Sequence, residues 1–205
     1  SGIAKRFGDA PALSSFLPDK TVCTLTYREL TERVKALSQA FLQEGLPVGA
    51  HVAIVGENST EWIIAFLATV CCGAVAVCAD IEQSDDGITE LLRRSHADWV
   101  LYSETFLPAC RPLLEAEAAI PGVLLQLDCA ARSQTLGTMI AAGRRQLAKG
   151  VSLHAAVTPD LTAEIVFTSG TTNQSKMVML SQKNVLRNCS DSVAYVDFGQ
   201  RTFSS

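Results

Sequence analysis

Four short apolar runs, centred near residues 54, 76, 100 and 125, recur along this chain, and the segments between them are long enough for a crossover helix. Few architectures accept that rhythm. Parallel strands cannot be joined by a tight turn and need a connection of a dozen or more residues, usually helical, that packs back onto the sheet. The crossovers are expected to be right-handed, and the strands, buried on both faces, read as nearly continuous apolar runs. The expectation is an α/β fold: a doubly wound, mostly parallel sheet with helices on both faces.

Local signals punctuate the helices. Thr26 and Glu29 have capping-box spacing, in which the hydroxyl accepts from the third helical N–H and the carboxylate accepts from the cap's own N–H. Leu30, Val34, Leu37 and Phe41 then form one apolar stripe, and Gly45 and Pro47 close it. A strand over His51 to Val55 follows, with Asn58 and Glu61 expected to start the next helix. A helix over Ser84 to Ser95 has Asp85 and Asp86 at its start and Arg93 and Arg94 at its end, the sense that suits the helix dipole. Ala97 to Tyr102 and Val123 to Leu127 read as strands, with helical composition over 104 to 119 interrupted by Pro108 and Pro112. Beyond Ser133 come a helical stretch to about Ala148, apolar runs Ala163 to Phe167 and Met177 to Leu180, and a helix beginning at Ser181.

The uncharged stretch from Trp62 to Ala79 just reaches the length of a membrane-spanning helix, roughly 18 residues. Gly73 divides it. Trp62, Ile63, Phe66, Leu67 and Val70 recur at helical spacing before the glycine, and Ala74 to Cys78 has strand propensity after it, so a buried helix feeding a buried strand is expected.

Composition excludes other classes. With 48% hydrophobic and 19% charged residues the chain is too apolar for disorder. A net charge of -4, with no basic block longer than a pair, argues against a large nucleic-acid footprint. The seven cysteines include no C-x-x-C and mostly sit in apolar runs, which suits a reducing, cytoplasmic compartment. Residues 1 to 15 lack the apolar core of a secretory signal.

Between the last two apolar runs lies the loop Thr168-Ser169-Gly170-Thr171-Thr172-Asn173-Gln174-Ser175-Lys176. Hydroxyls, one glycine and a cation at this density suit either a solvated turn or a concave anion nest, with Lys176 as a mobile point charge for phosphate oxygens. It is not a Walker loop, because Ser175 stands where a second glycine is required. The lone Gly56 after a strand does not make a dinucleotide-binding fingerprint.

The order of residues is more specific than their composition. Phe167-Thr168-Ser169-Gly170-Thr171-Thr172, followed by Lys176, Val178, Leu180 and Ser181, resembles the phosphate-binding signature of the adenylate-forming (AMP-binding) superfamily, which includes acyl-CoA synthetases, luciferases and the adenylation domains of peptide synthetases. Leu25-Thr26-Tyr27-Arg28-Glu29-Leu30 is similar to that superfamily's first core motif, and Cys72-Gly73-Ala74-Val75-Ala76-Val77-Cys78-Ala79-Asp80 to its second. Asn58-Ser59-Thr60-Glu61-Trp62 resembles the form found in long-chain fatty acid ligases.

The resemblance implies a two-step reaction. A carboxylate attacks the α-phosphate of ATP to give an acyl-adenylate and pyrophosphate, and a thiol, usually that of coenzyme A, then displaces AMP. It implies that Thr168, Ser169, Thr171 and Thr172 donate to phosphate oxygens, that Gly170 permits close backbone approach, that Lys176 neutralises the leaving pyrophosphate, and that Mg²⁺ takes part. Small molecules (ATP, a carboxylic acid and coenzyme A) are the implied partners, and a fatty acid is the implied acyl class. Five positions depart from the pattern: Asn173 and Met177 replace glycines, Ser175 replaces a proline and Gln182 a histidine, while Cys78 stands where the second motif usually has proline. The changed glycines are expected to reduce phosphate affinity or loop mobility.

The superfamily's adenine and ribose contacts, Mg²⁺-linked glutamate, acyl pocket and mobile C-terminal domain with its catalytic lysine all follow such a segment. The expectation is therefore that residues 1–205 are the N-terminal part of an adenylation domain and do not complete adenylation alone. The competing reading is a non-catalytic module that binds a nucleotide or partner through an altered phosphate loop. A third is a doubly wound domain whose loop merely mimics the signature. His51, His96 and His154 lack ligand spacing, Asp85-Asp86 is read as helix-start electrostatics, and Cys71-Cys72 as core packing.

Overall fold

A computed structural model describes residues 2–16, 21–127, 134–152, 154–168 and 176–195. A short helix α1 (Gly2–Phe7) leads into an antiparallel pair, β1 (Pro11–Phe16) and β2 (Val22–Thr26). Then come α2 (Tyr27–Gln43), β3 (His51–Val55), α3 (Thr60–Cys71), β4 (Val75–Cys78), α4 (Asp85–Arg94) and β5 (Trp99–Tyr102). A 3₁₀ turn at Glu104–Phe106 precedes α5 (Leu107–Leu114), which is followed by β6 (Gly122–Leu124), α6 (Leu136–Ala148), β7 (Thr162–Thr168), β8 (Lys176–Ser181) and α7 (Gln182–Tyr195).

The six-stranded sheet has the order β6-β5-β3-β4-β7-β8. Every neighbouring pair is parallel except β7 with β8, which forms an antiparallel hairpin at one edge. Because successive side chains on a strand point to opposite faces, the apolar runs serve two cores at once. Val52, Ile54, Ala76 and Leu101 face α2, α3 and α6, whereas Ala53, Val55, Val77 and Val100 face α4 and α5. The connections β3→β4 and β6→β7 use the first face and run one way along the sheet; β4→β5 and β5→β6 use the second and run the other. All four crossovers therefore share one hand, as twisted strands require. The doubly wound, mostly parallel sheet with both faces covered is thus present.

The Thr26 capping box forms in full: Thr26 Oγ1 accepts from Glu29 N–H at 3.2 Å and Glu29 Oε2 accepts from Thr26 N–H at 2.8 Å. The stripe it launches ends on Phe41, which meets the Trp99 ring edge-on at 5.8 Å. Gly143 sits on α6 where α2 crosses it, and a Cβ there would run into the Ala36 carbonyl oxygen. At Gly73 the chain turns from α3 into β4 with φ +81°, a conformation in which glycine bears no Cβ penalty. The Trp62–Ala79 stretch is accordingly a helix and a strand, and no helix among the described residues is long and apolar enough to cross a membrane.

Two local expectations are corrected. The cap of α3 is Ser59, whose Oγ accepts from Trp62 N–H at 3.1 Å, and not Asn58; either side chain can cap, and here the later one does. Of the Cys71-Cys72 pair, Cys72 packs in the core but Cys71 is exposed, because adjacent positions on a helix face different ways.

Candidate phosphate-binding site

In an open parallel sheet the loops that leave the carboxyl ends of the strands gather along one edge, where ligands bind at points of diverging connections. Here β3, β4, β5, β6 and β7 all end at that edge. β3 exits through Gly56 and Glu57 towards α3, and its neighbour β5 exits through Ser103 towards the opposite face. The two exits are tied together: Ser103 Oγ donates to Glu57 Oε2 at 2.6 Å and Ser103 N–H to the Val55 carbonyl at 2.9 Å. The hydrogen bond from Ser103 holds the Glu57 carboxyl below its usual range. Gly56 lies close beside this clasp: a Cβ there would lie 2.9 Å from Leu125 Cδ1, and the Leu125 side chain would have to shift.

β7 carries the hairpin to the same edge. Its pairing with β4 sets Glu164 beside Ala76 and Ile165 beside Val77, and its pairing with β8 ends on Thr168 opposite Lys176. Both Thr168 and Lys176 are exposed at the mouth of the hairpin. Lys176 makes no ion pair with another described residue, which leaves its ammonium available to an anion. A hydroxyl and an ammonium side by side suit phosphate oxygens, which accept from both. Ser169, Gly170, Thr171 and Thr172, with the departures Asn173 and Ser175, lie outside the described residues. Met177 follows Lys176 on β8 and is partly exposed.

Further down β7, Glu164 is half buried on the face opposite Ile165, and burial raises its carboxyl above the usual range. Burial, with Glu164 adding to it, pushes the Cys78 thiol up to about 12. Where the motif comparison places a proline, the chain thus carries a thiol held in its neutral form. The Asn58 to Trp62 segment opens α3, and its residues Asn58 to Glu61, with Leu13, Ser14 and Phe16 of β1, border a groove of about 770 Å³ at the carboxyl edge. Trp62 stacks on Phe66 at 5.5 Å in the first turns of that helix.

Two of the three histidines are engaged elsewhere. His51 Nδ1 lies 2.6 Å from the Ser95 carbonyl and His154 Nε2 3.1 Å from Ser152 Oγ, and no cluster of metal-ligating side chains occurs among the described residues. Sequence reasoning missed Ser103 and Glu57: they stand 46 positions apart and meet only because β5 lies beside β3.

Comparison with known proteins adds to this geometry. A family model described as "AMP-binding enzyme" matches residues 2–203. The chain is 30% identical over 177 residues to 3-[(3aS,4S,7aS)-7a-methyl-1,5-dioxo-octahydro-1H-inden-4-yl]propanoyl:CoA ligase of Mycobacterium tuberculosis, a match covering 83% of this chain and 35% of the ligase. It is also 30% identical over 190 residues to the hybrid PKS-NRPS synthetase iliA of Neonectria sp., covering 91% of this chain and 4% of the synthetase. The chain therefore spans about a third or less of the length of these relatives. Among solved structures, the fatty acyl-adenylate ligase from L. pneumophila, in complex with acyl adenylate and pyrophosphate, shares the fold with a TM-score of 0.74 at 22% identity, covering 97% of this chain and 32% of that one. With the superfamily's motifs in order along the sheet and a family match over nearly its whole length, the chain belongs to the AMP-binding enzyme family.

Proposed function

We propose that the intact protein is an AMP-forming acid–thiol ligase that activates a carboxylic acid with ATP and Mg²⁺ and passes the acyl group to coenzyme A. One observation carries this reading: Thr168 and Lys176 are paired across the strands, both exposed, where the hairpin opens at the carboxyl edge of the parallel sheet. When bound, ATP supplies an electrophilic α-phosphate and a pyrophosphate leaving group. Lys176 offsets charge on the departing phosphates, Thr168 orients their oxygens, and Ser169, Gly170, Thr171 and Thr172 complete the cradle by resemblance to the family. Carboxylate and polyphosphate repel one another, so placing them together and neutralising charge lowers the barrier more than any acid–base group would.

A fatty acid is the proposed acyl class, on the Asn58 to Trp62 segment and the groove it borders. The sequence resemblance to a CoA ligase supports coenzyme A as acceptor, and the exposed or neutral thiols accord with a cytoplasmic setting. The test is ATP–pyrophosphate exchange by the intact protein across fatty, aromatic and amino acids, followed by thioester formation with coenzyme A. Exchange that depends on a fatty acid, with a coenzyme A thioester as product, is expected. Absence of exchange with every acid would overturn the reading in favour of a non-catalytic nucleotide-binding module.

A further inference from the structure

We propose that Gln182 is a positioning residue for the phosphate hairpin, its side-chain amide fastening the base of the β7–β8 arm to the end of α3; this rests on the function proposed above. The arm is supported on its β7 side, where Ile165 lies in the core and Phe167 packs against it, but weakly on its β8 side. β8 is the outermost strand, and Met177, Val178 and Met179, which alternate between its two faces, are 42%, 38% and 68% exposed. β7 joins the parallel part of the sheet through only two register pairs, Ala76 with Glu164 and Val77 with Ile165. With no strand on its outer side, β8 and the tip it carries can pivot about their root.

What fixes the root is therefore decisive. Ser181 and Asn184 cap the start of α7 reciprocally, with Ser181 N–H donating to Asn184 Oδ1 at 3.0 Å and Asn184 N–H to Ser181 Oγ at 3.2 Å. Gln182 N–H donates to the Leu161 carbonyl at 2.8 Å and Lys183 N–H to the Pro159 carbonyl at 2.9 Å. These bonds stay within the arm and the segment that leads into it. Gln182 Nε2 instead donates to the Val70 carbonyl at 3.2 Å, 112 positions away, in the last turn of α3. Among side-chain hydrogen bonds between described residues, it is the one that ties the arm to a helix packed on the central strands.

Leverage turns this modest bond into a functional one. From Ser181 to Lys176, at about 3.3 Å per residue, the strand is a lever of roughly 17 Å. A pivot of about 3–4° at the base then shifts Thr168 and Lys176 by about 1 Å, and misplacement on that scale costs an enzyme about 100-fold. The acceptor also dictates the chemistry. Val70 O belongs to the negative end of α3, so a donor is attracted there and a carboxylate repelled.

The variants Gln182→Glu and Gln182→Lys separate tethering from packing. Glutamate keeps the size but loses the donor, and it suits the first turn of α7, so any loss cannot come from a weakened α7. Lysine restores a donor of similar reach. In ATP–pyrophosphate exchange by the intact protein, Gln182→Glu should raise KM for ATP about tenfold, the effect of about half an ångström on that scale. KM for the acid should be unchanged, and Gln182→Lys should stay within about twofold of wild type. Amide hydrogen exchange over Lys176–Ser181 should quicken in the glutamate variant and recover in the lysine variant. If Gln182→Glu does not accumulate, Gln182→Asn, too short to reach, carries the same expectation. An unchanged KM for ATP alongside active wild type overturns this inference alone, even with faster amide exchange. An inactive wild type, read before any variant is compared, overturns the proposed function and this inference with it.

Discussion

Replacing Gly143 with alanine sets two physical effects against each other. Alanine inside a helix is worth about 0.8–1.0 kcal/mol over glycine, so propensity alone predicts a stabilised chain. The added methyl would, however, run into the Ala36 carbonyl oxygen where α2 and α6 cross, and Ala36 is fully buried. A backbone oxygen cannot rotate aside as a side chain can. The helices must part, and overpacking of this kind costs about 1–3 kcal/mol. With a rigid backbone atom as the obstacle the upper end applies, leaving a net loss of about 2 kcal/mol after the helix gain. For a chain of this length 1 kcal/mol corresponds to about 2–4 °C, so thermal denaturation followed by circular dichroism should show Tm lower by about 4–8 °C. Arg144→Ala, at the exposed neighbouring position, should stay within about 0.5 kcal/mol of wild type. Because α6 is the crossover from β6 to β7, this crossing also bears on where the β7–β8 hairpin enters the sheet. A Gly143→Ala chain as stable as wild type, or more so, would refute the close-packing argument.

Two further outcomes follow from the titrating groups. Glu57 is depressed in the folded chain by Ser103, so its contribution to stability is present above the ordinary carboxylate value and is lost as pH falls through the lowered value. Ser103→Ala should bring the Glu57 titration, followed by NMR, back towards the ordinary value and flatten that loss; an unmoved titration would remove the clasp from the account. Cys72, Cys78 and Cys110 are pushed up to about 11, 12 and 12 by burial, whereas Cys23 and Cys189 are exposed. Brief alkylation of the native protein at neutral pH, mapped by mass spectrometry, should therefore modify Cys23 and Cys189 first and spare Cys72, Cys78 and Cys110.

The central fold is legible from residue order because its causes are local or periodic. Thr26 and Glu29 state a helix start within four residues, and the apolar runs around Ile54, Ala76 and Val100 can only be strands covered on both faces. β1 and β2 escape such reading. Pro11–Phe16 and Val22–Thr26 are half polar, mostly solvent-facing strands without a continuous apolar run, and their pairing depends on each other. The expected strand over Val123 to Leu127 shortens to Gly122–Leu124, because Leu124 turns to bridge Thr135 at the sheet edge. At the site, the order of hydroxyls, glycine and lysine points to Thr168 and Lys176, and strand pairing sets the two opposite each other. Ser103 with Glu57, Gly143 with Ala36 and Gln182 with Val70 are each pairs of distant residues brought together by the sheet and its helices, and nothing in their own neighbourhoods announces them.

Exchange of labelled pyrophosphate into ATP by the intact protein, comparing wild type with Lys176→Ala, bears most directly on the hairpin as the seat of phosphate binding. Wild type should exchange only when a carboxylic acid is present, and Lys176→Ala should lose about 10²–10³-fold of that rate, the scale for removing one positioned charge-stabilising donor, while melting at the same temperature. Equal rates in the two proteins would contradict the account.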